Sequence, residues 1–239
     1  MLGTTPLFSS NRKKALRFSG PTSSRHALNK DKGRALRRWV ILSALAAASF
    51  SAATAQAQVA NSRAELPTVK VGDHWKIEVR DKLTNAVERT DDYVVTASTA
   101  TQIDLSVGGN DKAVWTSELT PLDNPRLTYD SGYRWLNFPL EVGKAWDFKT
   151  QWKRKDGSGA GRSQMDVAVK AYEKVSVRAG EFDAYRIESK GFMNLDGGGN
   201  TRVSVKYWYA PAVRTTVRFE WEDKWSRTVS ELVEVQLTP

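Results

Sequence analysis

Apolar and polar residues alternate with a period of two along most of the chain from Val71 onward. Trp75, Ile77 and Val79 fall on one side, with Lys76, Glu78 and Arg80 on the other. Ile103, Leu105 and Val107 repeat the pattern, as do Met165, Val167 and Val169. Later, Val203, Val205, Tyr207 and Tyr209 oppose Arg202, Ser204, Lys206 and Trp208. The run Val213, Thr215, Val217, Phe219 and Trp221 then opposes Arg214, Thr216, Arg218, Glu220 and Glu222. A period of two sets one side of an extended strand against a core and the other toward water, which is antiparallel behaviour.

Turn chemistry falls between these runs. Gly108-Gly109-Asn110-Asp111, Asp130-Ser131-Gly132, Asp156-Gly157-Ser158-Gly159 and Asp196-Gly197-Gly198-Gly199-Asn200 supply residues that tolerate positive φ, and Pro121 and Pro125 bracket another break. No long window keeps a capped 3.6-residue period. The pattern predicts an all-β domain over residues 67–239: a large antiparallel sheet of about ten strands, forming an open or half-closed barrel or sandwich.

A short motif occurs twice. Val71-Gly72-Asp73-His74-Trp75-Lys76-Ile77 parallels Val142-Gly143-Lys144-Ala145-Trp146-Asp147-Phe148, both reading V-G-x-x-W-x-[IF]. Glycine permits a sharp turn before the strand, and tryptophan buries a large area as the strand enters the sheet. An internal duplication, residues 67–137 and 138–239, is one explanation and coincidence the other.

The N-terminal quarter is different in kind. Arg34, Arg37 and Arg38 precede the apolar run Trp39–Ala53, and Ala55-Gln56-Ala57 follows as a small-x-small site. Residues 34–57 thus read as a signal-peptide helix cleaved after Ala57, too short to favour a retained span. Residues 58–66 form a linker. Residues 1–33, polar and without periodicity, read as a disordered basic leader or as sequence upstream of the true start.

Charge follows this division. Of 36 Lys and Arg, ten lie in residues 1–57 against the single acid Asp31, so that segment carries the whole formal charge of +9. The remainder is neutral, which removes the electrostatic premise for nucleic-acid binding. The absence of cysteine excludes disulfides, thiol nucleophiles, Cys-ligated metals and lipid attachment at an N-terminal cysteine.

Candidate chemistry is sparse. His74 is the one histidine after the leader, and no G-x-S-x-G elbow accompanies it. The acid pairs Asp91/Asp92 and Glu220/Glu222 are the available hydrolytic machinery, although Arg218 and Lys224 beside the second suggest a salt-bridged surface. The glycines at 197–199 precede a strand rather than a helix, against a phosphate loop. Arg202, Lys206, Arg214 and Arg218 could gather on one face to hold an anion, with Glu220, Glu222 and Asp223 interleaved. Eight of nine tryptophans lie beyond residue 57; most fill a core, whereas Trp208 and Trp225 are candidate ligand contacts. Trp208, opposite in pleat to Tyr207, is solvent-facing, covered by another layer, or against a ligand. No catalytic residue, metal or cofactor is called for.

The V-G-x-x-W openings, the segment Val175–Glu188, and Tyr207-Trp208-Tyr209-Ala210-Pro211 together resemble bacterial envelope proteins of the DUF3108 type. The resemblance covers about Val71–Val235 and implies an elongated antiparallel sheet similar to lipoprotein-carrier folds; it marks no catalytic residue. The reading is an exported, periplasmic or secreted, non-enzymatic β-domain that binds an amphiphilic or polymeric envelope component. That partner is a lipid, glycan or protein, and not a nucleic acid. The rivals are an interaction protein pairing through a sheet edge such as Val229–Leu237, a carbohydrate-acting enzyme with paired carboxylates, and an outer-membrane barrel, the last opposed by the charged strand faces.

Overall fold

This computed structural model describes residues 63–239; the segments read above as leader, signal peptide and cleavage site after Ala57 lie outside the described residues. Fourteen strands follow one another: β1 (Arg63–Ala64), β2 (His74–Asp81), β3 (Val87–Ser98), β4 (Gln102–Val107), β5 (Asp111–Thr116), β6 (Pro121–Asp123), β7 (Leu127–Tyr129), β8 (Leu140–Glu141), β9 (Ala145–Arg154), β10 (Ala160–Val177), β11 (Gly180–Leu195), β12 (Asn200–Ala210), β13 (Thr215–Glu222) and β14 (Arg227–Gln236). β1 and β8 pair with each other, and Arg63 and Ala64, assigned above to a linker, are thereby in a strand. The other twelve form a closed antiparallel barrel in which each strand pairs with its sequence neighbours. β14 closes the ring on β2, from Thr228↔Asp81 to Gln236↔His74.

The all-β barrel expected from the sequence is present, with twelve strands in place of about ten and with the ring closed rather than half-closed. Closure joins segments about 150 residues apart, a pairing that no local pattern reports. It also leaves the proposed edge without a vacancy: β14 is bonded to β13 on one side and β2 on the other. The run Val213–Trp221 is not one strand. Pro211–Val213 makes a 3₁₀ turn, Arg214 takes a left-handed conformation (φ 57°), and β13 begins only at Thr215.

Alternation decides the two faces. Trp75, Val79, Val95, Leu105, Met165, Val167, Ile187 and Val205 are buried inside, while their strand neighbours point outward. Burying Trp75 alone, at 1% exposure, contributes an upper estimate of about 4–6 kcal/mol. Two strand glycines permit close approach: a Cβ at Gly191 would lie 2.0 Å from the Gln164 carbonyl oxygen, and one at Gly161 would lie 2.7 Å from the Trp152 ring.

The two V-G-x-x-W turns are built alike. Gly72 N–H donates to the Val95 carbonyl, and Val95 N–H donates back to Asp73; Gly143 N–H donates to Val169, and Val169 N–H donates back to Lys144. Both glycines have positive φ, 89° and 95°. A bulge follows each partner valine, between Val95 and Ala97 and between Val169 and Ala171. The twelve barrel strands divide six and six about these turns.

About eight strands leave an interior that side chains alone can fill, and twelve leave more. Residues 130–139, between β7 and β8, supply the filling. Tyr133 packs on Phe148 of β9 at 4.9 Å, and Trp135 packs on Phe219 of β13 at 5.0 Å, so the segment reaches between distant walls. The Tyr207 hydroxyl donates to the Trp135 carbonyl, Trp146 Nε1 to the Arg134 carbonyl (3.1 Å), and Lys144 Nζ to the carbonyls of Asn137 and Pro139. Beyond its bulge, the long β10–β11 hairpin lies over the outer face. Glu173 meets Trp208 of β12, Ala179 N–H donates to Leu232 of β14, and Arg178 pairs with Glu78 of β2.

Candidate functional site: the barrel lumen

Two adjoining cavities of about 260 and 430 Å³ lie within the barrel beside the 130–139 segment; the larger reaches the hairpin end at Asn124 and Arg154, and the smaller is also lined by Leu119 and Arg214 from the opposite end. They share Tyr93, Trp115, Trp135 and Phe219 in their walls, together with Arg89 and Arg126. Pockets of such size, mostly apolar with a few converging polar groups, are the usual form of small-molecule sites.

Strand register explains the lining. Trp75, Ile77 and Val79 of β2 stand directly opposite Tyr93, Asp91 and Arg89 of β3, so the latter three share the inner face. The Trp75 and Trp115 rings stack at 6.3 Å, and Tyr93 meets Trp115 at 6.0 Å. Burial pushes the Tyr93 phenol up to about 12, Asp91 adding to the shift while Arg126 and Arg89 oppose it. Tyr129 is likewise raised by burial to about 12. Around the larger cavity, Tyr133 Oη, Trp152 Nε1 and Ser163 Oγ are buried without a hydrogen-bond partner among the described residues. Burial holds the Tyr133 phenol above its ordinary range, with the neighbouring Ser163 hydroxyl acting in the opposite sense.

Toward the hairpin end the lining becomes charged. Arg89 Nε donates to Asp91 Oδ2 at 2.9 Å, and Arg126 Nη2 stands 3.8 Å from the same carboxylate. Arg154 is the third cation of the larger cavity.

Of the residues singled out in the sequence, Asp91 and Arg214 line the smaller cavity and the others lie elsewhere. Trp208 faces outward and is covered by the β10–β11 hairpin: its Nε1 donates to Glu173 at 2.9 Å, and Arg218 lies 5.6 Å over its ring. Trp225, 57% exposed, tips the β13–β14 hairpin with Lys224 over its ring. Arg202 stacks on Phe192 at 5.7 Å beside a shallow outer groove that Lys190, Lys224, Glu222 and Asp223 also line. Arg218 is bound by Glu220 and Glu231, each at 2.8 Å. Arg214 lines the smaller cavity and is held there by the fully buried Asp73, at 2.8 Å. Lys206 stands opposite Glu220. Lys206, Trp208 and Arg218 are thus neighbours on the outer face around Glu220, whereas Arg202 and Arg214 have other partners.

Of the carboxylate pairs, Asp91 and Asp92 are separated, and Glu220 and Glu222 share the outer face of β13. Asp91 points inward while Asp92, on the other face of β3, accepts from His74 Nε2 at 2.5 Å. Glu220 and Glu222 face outward, to Lys82 and Arg227. Partial burial works to raise the Glu220 carboxyl, but Lys82 and Arg218 outweigh it and hold it below its usual range. No cluster of three or more His, Asp and Glu suited to a metal occurs among the described residues.

Sequence reading missed Arg89, Asp91 as a lining residue, Arg126, Tyr133 and Trp135. The one signal for β3 was that Arg89, Asp91, Tyr93 and Val95 keep the period of two; their polarity hid the inner face. Tyr133 and Trp135 lie in a segment without strand pattern.

No family model and no curated protein matches the chain, so the resemblance to the DUF3108 type stands on its motifs alone. Solved structures do match. A protein of Parabacteroides distasonis, described as a lipoprotein, aligns over 74% of this chain and 100% of its own at 14% identity and a TM-score of 0.50. A Bacteroides fragilis protein, described as exported and YmcC-like in fold, covers 72% of this chain and 99% of its own at 12% identity and 0.49. The hypothetical lipoprotein YmcC of Escherichia coli covers 71% and 91%, at 6% and 0.44. The likeness is one of fold.

Proposed function

We propose that the protein is an exported, non-enzymatic binding domain whose barrel lumen takes the apolar part of an amphiphilic component of the cell envelope. The aromatic cavity inside a charged exterior carries this reading. Outer-membrane barrels present an apolar band outward; here Lys76, Glu78 and Arg80 of β2 and Lys206, Arg218 and Glu220 of β12 and β13 face outward, while Trp75, Trp115 and Phe219 face the lumen. That polarity is the one small ligand-holding barrels use. Export is supported by the Arg34–Ala57 segment and by the description of the Parabacteroides distasonis protein of the same fold as a lipoprotein. Hydrolysis by paired acids has little geometric support: Asp91 and Asp92 lie on opposite faces of β3, and Glu220 and Glu222, side by side on one strand face, are each ion-paired, to Lys82 and Arg227.

The test is native mass spectrometry of protein recovered from the envelope of the producing cell, followed by tryptophan fluorescence titration with single-chain amphiphiles. A co-purified amphiphile, or saturable quenching that Trp115→Phe diminishes, is the expected result. Protein recovered with nothing bound, and no response to any amphiphile, would overturn the reading.

A further inference from the structure

We infer that the ligand carries an oxyanion, phosphate or carboxylate, at its outer end, and that Arg89 and Arg126 hold it at the lumen's mouth. This rests on the lumen reading above and adds the chemistry of the head group. Arg89 and Arg126 reach the lining from different elements, β3 and the β6–β7 turn, and converge on one carboxylate, Asp91. Asp91 is well covered, with 16% of its side chain exposed, and can balance only one of them. Its close partner is Arg89, at 2.9 Å. Arg126, at 3.8 Å, is beyond hydrogen-bond reach, and its guanidinium makes no hydrogen bond among the described residues.

A planar guanidinium with unused donors at the edge of an aromatic cavity suits a forked oxyanion. Glu88 approaches Arg89 no closer than 4.0 Å, and the acid beside Arg154 is the exposed Asp156, at 3.5 Å. Neither Glu88 nor Asp156 lines the cavities, so the lining at this end sets Arg89, Arg126 and Arg154 against the one carboxylate Asp91. Immediately inward of Arg89 and Asp91 stand Tyr93 and Trp115, where the apolar chain of such a ligand would lie.

The exported protein is titrated at submicellar concentration with octyl phosphate, octanoate, octyl glucoside and inorganic phosphate, read by tryptophan fluorescence and calorimetry. Octyl phosphate or octanoate is expected to bind roughly ten-fold more tightly than octyl glucoside. Arg126→Gln should abolish that preference, and Arg126→Lys should restore part of it. Equal affinity for charged and neutral amphiphiles, or an unaltered preference in Arg126→Gln, overturns the inference and leaves the lumen reading standing. Binding of no amphiphile overturns both. Inorganic phosphate matching octyl phosphate assigns the arginines to a free anion and also overturns it.

Discussion

Replacing Asp73 with alanine removes an acceptor on which three distant parts of the chain converge. Its fully buried carboxylate receives Lys70 N–H at 3.0 Å, Thr238 N–H at 2.9 Å and Arg214 Nη1 at 2.8 and 3.0 Å. It thereby ties the first V-G-x-x-W turn to the 3₁₀ turn after β12 and to the C-terminal residues beyond β14, close to the seam where the barrel shuts. Breaking a buried ion pair from one side costs about 3–5 kcal/mol. Arg214 keeps 21% of its side chain exposed and can be rehydrated, which pulls the ion-pair part toward about 1–2 kcal/mol. The two backbone donors left without an acceptor add about 1–1.5 kcal/mol each. The expected loss for Asp73→Ala is therefore about 3–5 kcal/mol in total, with Asp73→Asn about half as costly because one acceptor survives.

Urea unfolding followed by tryptophan emission measures this. At an m-value of about 2 kcal/mol/M the midpoint should fall by roughly 1.5–2.5 M without a change in slope. A double-mutant cycle with Arg214→Met should show that the two losses are not additive. A fall below about 1 kcal/mol, or strict additivity, would refute the role given to this carboxylate.

Tyr207 and Tyr209 offer a paired test on one strand. Both are fully buried, yet among the described residues only the Tyr207 hydroxyl of the two has a partner, the Trp135 carbonyl. Tyr207→Phe should cost about 1–2 kcal/mol in thermal denaturation, whereas Tyr209→Phe should be neutral or slightly stabilising; equal losses would contradict the assignment. Acid should weaken the fold. Asp156 is lowered to about 2, chiefly by the Ser158 hydroxyl, Asp130 is lowered by the Gln151 amide, and Glu234 by Lys76. Groups whose folded pKa is depressed stabilise above their unfolded values, near 4, and lose that contribution as pH falls through the folded values. The melting temperature should thus hold from pH 7 to about 5 and fall between about 4.5 and 2, and a rise over that interval would contradict these pairings. For the N-terminus, intact mass of the exported protein should place its first residue at Gln58; a mass that retains Trp39–Ala53 would mean an uncleaved anchor.

Much of the β structure was legible because side-chain direction in a strand depends only on the parity of position. The inward set Trp75, Ile77 and Val79, the inward set Val203, Val205 and Tyr207, and the Gly- and Asp-rich turns between strands follow from that alone. Three features needed the assembled molecule. Closure of β14 on β2 is a pairing between the two ends of the domain, and local alternation is the same in an open sheet. Filling of the lumen by Tyr133 and Trp135 depends on the barrel's width, which strand count and closure set together. The sides taken by Trp208 and Arg89 were both readable as parity, but their meaning was not. Trp208 is outward and covered because a hairpin from β10 and β11 lies across it. Arg89 and Asp91 are inward because their neighbours Tyr93 and Val95 are, and charge on an inner face acquires a purpose only where a cavity stands in front of it.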